Sequence, residues 1–139
     1  MTTILLNTLA VVLGWLIGSA VNMGLVQVGY RVFPIEGIDV NDLEALSEVL
    51  PHLDITFFIF PFLAHALGTF FGALICGLIA KTRTMQLSLS IGALFLIGGI
   101  MVNIMIPAPL WFTITDLTLA YIPMAWFGGQ LALKRNSKN

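Results

Sequence analysis

Charge is scarce in this chain: 9% of its 139 residues are Asp, Glu, Lys or Arg, and 58% are hydrophobic. Soluble domains carry roughly a quarter charged residues, so a water-soluble globular domain is excluded. Cysteine is scarcer still. Cys76 stands alone, which rules out a disulfide framework, a CxxC pair and a membrane disulfide oxidoreductase. The six basic residues are too few for a nucleic-acid footprint. The two histidines, His52 and His65, stand without a ligand motif, so no metal site is assigned and no cofactor is named.

What the sequence has in abundance is long apolar runs. A membrane span needs about 20 mostly apolar residues, and four stretches qualify: roughly 4–28, 55–80, 86–106 and 109–133. They predict an all-α integral membrane protein, a single four-transmembrane-helix bundle over residues 1–139 with a 29–54 outer loop. The first run lacks a charged leader and is too long for a signal peptide, so it is read as a span.

The few charges are segregated. Lys81 and Arg83 lie between spans two and three, and Lys134, Arg135 and Lys138 follow span four. Glu36, Asp39, Asp42, Glu44, Glu48 and Asp54 all fall between spans one and two. The positive-inside rule then sets both termini in the cytoplasm and the acidic loop outside, in a cell inner membrane. Within that loop, Asn41-x-x-Glu44 reads as a capping box. Leu43, Leu46, Val49 and Leu50 fall at helical spacing and Pro51 stands as a stop. These signals predict a short amphipathic helix. Its acidic polar face gives no attraction to anionic lipid, so it is expected to pack over the mouth of the bundle.

Spans one and three share a pattern, "WLIGSAVNMGL" and "FLIGGIMVNIMI", and spans two and four both finish on small residues and a lysine. A tandem two-helix repeat would produce this, relating the halves by an axis along the membrane normal. Chance resemblance among Gly- and Leu-rich spans would produce it too. Small residues recur at helical spacing: Gly14, Gly18 and Asn22; His65, Gly68, Gly72 and Cys76; Ser88 and Gly92; Gly99 and Asn103. Such stripes let helix backbones approach closely, and they mark which faces look inward.

Asp116, in "WFTITD", is the only acidic residue inside a span. A carboxylate facing hydrocarbon costs several kcal/mol, so it must face the bundle interior or a water-filled cavity, and intramembrane ionisable groups are functional candidates. His65, Asn22, Asn103, Thr69 and Thr113 join it as candidate ligand-binding residues, with His65 able to satisfy itself on Thr69. Pro61 and Pro123 each remove a helical hydrogen bond near His65 and Asp116, which points to kinks and a widened outer cavity.

No acid stands in the first span, no cysteine pair exists, and arginine is limited to Arg31, Arg83 and Arg135. Small multidrug-resistance exporters, vitamin K epoxide reductases and four-span eicosanoid enzymes are thereby set aside. The expected function is binding or transport of a small solute, ion or proton in an outward-facing polar pocket. Because four helices make a thin bundle, a homo-oligomer in the lipid bilayer is expected. The alternatives are a membrane-embedded enzyme acting on a lipid-like substrate, with His52 or Asp54 completing a metal set, and an accessory subunit with a purely structural role. Haem held by His52 and His65 is a remote variant.

Overall fold

The computed structural model describes residues 2–138, and every described element is helical. Helix α1 spans Thr3–Val32, α2 Leu43–Val49, α3 Ile59–Ile79, α4 Thr84–Met105, α5 Leu110–Leu119 and α6 Ile122–Asn136. Three helical stretches, Thr3–Val32, Ile55–Ile79 and Thr84–Met105, are long and apolar enough to cross a membrane. The fourth expected run, 109–133, is not one helix. It is broken at Ala120 and Tyr121 into α5 and α6, with Tyr121 at φ −112°, ψ −79°. Pro123 explains the position of the break, because it has no N–H to give the Leu119 carbonyl.

Other boundaries differ for local reasons. Helix α1 continues to Val32, past the expected end at residue 28, which sets Asn22 about 15 Å below the helix end at 1.5 Å per residue. Asn41 does not cap α2. The cap is Asp42, whose carboxylate accepts from the Glu44 and Ala45 N–H groups at 3.1 Å each, while the Asn41 amide bonds Asp39. Pro51 does not stop the chain either; it enters a 3₁₀ turn, Leu50–His52. A second such turn, Ile55–Phe58, capped by Asp54, leads into α3. Pro61 therefore falls in the first turn of α3, where its missing N–H costs little, and it makes no mid-helix kink.

Glycine governs the packing. A Cβ at Gly14 would sit 2.6 Å from the Gly72 carbonyl oxygen and one at Gly18 2.6 Å from that of Gly68, while Gly68 and Gly72 meet Gly18 and Gly14 in return. The residue numbers run in opposite senses, so α1 and α3 cross antiparallel with backbones in contact, as small-residue stripes allow. Gly128 brings α6 against Phe70 of α3, and Gly92 brings α4 against Ala125 of α6. Helix α3 is the central element, touching α1, α4 and α6, whereas α1 and α4 meet only slightly.

At one end of the bundle Asn7 closes the turn between α3 and α4: its Oδ1 accepts from the Lys81 N–H at 3.0 Å and its Nδ2 donates to Thr82 at 2.9 Å. Ser88 donates to the Ala73 carbonyl at 2.9 Å in the buried interior. At the other end aromatic rings join the elements. Phe33 packs on Phe57 and Phe60, and Phe58 packs on Trp111 and Phe112. Large apolar side chains cover the outside, Ile4, Ile97, Ile104 and Leu110 among them.

Candidate functional site

Asp116 lies on α5 and is fully buried. A bare carboxylate there would be strongly destabilising, and two side chains compensate. His65 of α3 donates from Nδ1 to Asp116, with Nδ1 2.8 Å from Oδ1 and 2.9 Å from Oδ2. The Tyr121 hydroxyl donates to Oδ2 at 2.9 Å. The His65 and Tyr121 rings also stack, with centroids 5.7 Å apart and planes at 27°.

The break in the helix makes this trio. In an unbroken α-helix five residues turn through 500°, leaving Asp116 and Tyr121 about 140° apart. With Tyr121 outside helical geometry, its hydroxyl reaches back to the carboxylate. Gly99 of α4 supplies the space, because a Cβ there would collide with the Tyr121 hydroxyl. Tyr121 is the site residue that sequence reasoning missed. The available signal was a tyrosine in an apolar run, two residues before a proline.

A carboxylate at Asp116 only accepts, so Nδ1 carries the hydrogen of that bond, and in a neutral imidazole Nε2 is then left as an acceptor. Nε2 makes no protein hydrogen bond among the described residues, and the His65 side chain is 21% exposed. It opens onto two cavities. One, about 270 Å³, lies toward α2 and is lined by Asn22, Tyr30, Leu46, Phe57, His65 and Asn103 among others. The second, about 300 Å³, lies between α1 and α4 and is lined by Trp15, Ser19, Met23, Leu94, Gly98, His65 and Tyr121 among others. Asn22, His65, Gly99 and Val102 border both. No Lys, Arg, Asp or Glu lines either one.

The other candidate residues divide. Asn22 and Asn103 reach the first cavity. Thr113 lines neither cavity and instead donates to Asn103 Oδ1 at 2.7 Å, tying α5 to the end of α4. Thr69 does not satisfy His65; it is fully buried and its hydroxyl has no partner. His52 and Asp54 stay apart from the site, and no group of three or more His, Cys, Asp or Glu able to hold a metal occurs among the described residues. Leu46, Leu50 and Leu53, from α2 and the turn after it, wall the first cavity, so the loop helix does lie over that end of the bundle.

No family model, curated protein or solved structure matches the chain.

Proposed function

We propose that this chain is a small multi-pass protein of the inner membrane that binds a small solute in an outward-facing intramembrane cavity, with His65 Nε2 as the recognition atom. Helices α5 and α6 together make a fourth, broken crossing, both termini are cytoplasmic, and α2 lies on the outer face. The observation that carries the reading is the orientation of His65. Asp116 holds Nδ1, Tyr121 stacks on the ring and bonds the same carboxylate, and Nε2 is left without a protein partner on a side chain that lines both cavities; few convergent polar groups in an apolar pocket are the usual signature of a ligand site.

The packing supports binding over an open pore. On the Lys81 side of His65 the Gly18–Gly68 and Gly14–Gly72 crossings bring backbone against backbone, leaving no room for a solute between α1 and α3. Exposed apolar faces on every long helix support insertion in a lipid bilayer and a homo-oligomeric assembly. An accessory, purely architectural role predicts no ligand response at His65.

The test uses the ¹⁵N resonances of His65 in the protein reconstituted in lipid. Titration with 1-butanol, a small probe with one neutral polar group, should move the Nε2 resonance saturably, and His65→Ala should remove the signal that moves. A Nε2 resonance indifferent to the alcohol at all concentrations defeats the reading. The Nδ1-to-carboxylate bond also favours one second reading, since it is the arrangement that holds an imidazole as general base. An enzyme of that kind would release fatty acid from a monoacylglycerol, and His65→Ala would not.

A further inference from the structure

The two cavities meet at His65, and the second does not lead to the loop side. It runs between α1 and α4, the pair of long neighbours that touches least. Its rim is formed by side chains that are themselves exposed and apolar: Met23 (61%), Val102 (50%), Trp15 (47%) and Leu94 (45%). Gly98 borders it, and a Cβ there would meet nothing within 4 Å. On helices that cross a bilayer, such a rim faces hydrocarbon rather than water.

From this geometry we infer that the ligand of the His65 site is a neutral, single-chain amphiphile drawn from the membrane, with its hydroxyl group donating to His65 and its chain in the α1–α4 cleft. The inference rests on the solute-binding reading above and names the class of ligand for that site. Three observations select the class. No Lys, Arg, Asp or Glu lines either cavity, so a phosphate, carboxylate or ammonium head would lie in an apolar cavity without a fixed counter-charge, which is strongly unfavourable. The polar groups that line the cavities, His65, Asn22, Asn103 and Tyr30 on the loop side and Ser19 and Tyr121 in the cleft, are all uncharged donors or acceptors apart from the imidazole and suit one uncharged head. At about 270 and 300 Å³ the spaces lie at the small end of ligand pockets, roughly 300–1,000 Å³, which suits one chain and not two.

Asn22 and Gly99 take part at the junction. Asn22 belongs to both cavities and its Cβ lies within 2.9 Å of where a Cβ on Gly68 would stand, so α3 backs its position. Gly99 borders both cavities and seats the Tyr121 hydroxyl over its Cα.

The test compares 1-hexadecanol with 1-butanol on the ¹⁵N resonances of His65 in lipid-reconstituted protein, for the parent, Gly98→Trp and Ser19→Trp. The two tryptophans enter the cleft from opposite walls, Gly98→Trp into open space. In the parent both alcohols should shift Nε2. In each variant the ligand-free His65 spectrum should match the parent, 1-butanol should still shift it from the loop-side cavity, and the response to hexadecanol should fall at least tenfold. A hexadecanol response of parental size in both variants overturns the cleft as the seat of the chain while leaving the solute site standing. Indifference of the parent to both alcohols removes the solute site itself.

Discussion

Tyr121 donates its hydroxyl hydrogen to Asp116 Oδ2 at 2.9 Å although the two residues are five apart in sequence, because the helix that should have carried both is broken between them. Tyr121→Phe keeps the stacked ring and removes one hydrogen bond. Its expected cost is about 1.5–3 kcal/mol, the range for a hydrogen bond to a charged group. Gly99→Ala should cost at least as much, since overpacking there displaces both the hydroxyl and the ring. Thermal unfolding in detergent ranks the two, and a smaller loss for Gly99→Ala would show that Gly99 does not seat Tyr121.

Asp116→Asn and Asp116→Leu should separate shape from charge. An asparagine can still accept from Tyr121, but if its amide N–H₂ faces His65 the Nδ1 must become the acceptor and the proton moves to Nε2. Small stability change with an inverted pair of His65 ¹⁵N shifts is expected. Asp116→Leu leaves the Tyr121 hydroxyl and His65 Nδ1 without a partner, costing about 1–3 kcal/mol for each buried group. Equal stability of the two variants would contradict the hydrogen-bonding account.

The crossing of α1 and α3 predicts a contrast among glycines. Gly18→Leu and Gly72→Leu place atoms where a Cβ alone would already lie within 2.6 and 2.8 Å of backbone carbonyl oxygens, so both should abolish the compact monodisperse form in size-exclusion chromatography. Gly24→Leu, on the same α1 but with nothing within 4 Å of its added Cβ, should behave as the parent. A parental profile for Gly18→Leu and Gly72→Leu would show that the helices can part at no cost.

Acid should loosen the start of α3 before the rest. Bonds from the Thr56 N–H and hydroxyl hold the Asp54 carboxyl below its ordinary pKa. A carboxylate whose folded pKa is depressed adds stability that is fully present above the unfolded value, about 3.9, and is lost as pH falls through the lower folded value. Amide hydrogen exchange of Ile55–Phe58 should therefore accelerate below about pH 4. Asp54→Asn, a cap of similar quality with no titration, should remove that pH dependence.

Topology is checked by labelling. Single cysteines at Ser47 and Ser137, in a Cys76→Ala background, should react with a membrane-impermeant maleimide from opposite sides, Ser47→Cys from outside and Ser137→Cys from the cytoplasm. Both reacting from outside would overturn the assignment drawn from the charge segregation.

The sequence determined the helical class, the three long apolar helices and the faces that pack, because each follows from local quantities: run length, small residues spaced four apart, and charge confined to loops. Gly14 and Gly18 on one helix, and Gly68 and Gly72 on another, were legible as contact faces before their partners were known. Asp116 and His65 stood out as candidates because ionisable groups are rare in such a chain. What only the tertiary structure decided was how they meet. The choice of Asp116 over Thr69 as the partner of His65, the recruitment of Tyr121 and the seat that Gly99 makes for it all depend on the break at Ala120 and Tyr121. A proline alone specifies a lost hydrogen bond. Whether the helix then bends or breaks, and which side chain the rotation delivers to the carboxylate, is settled by packing against α3 and α4, which no local sequence pattern encodes.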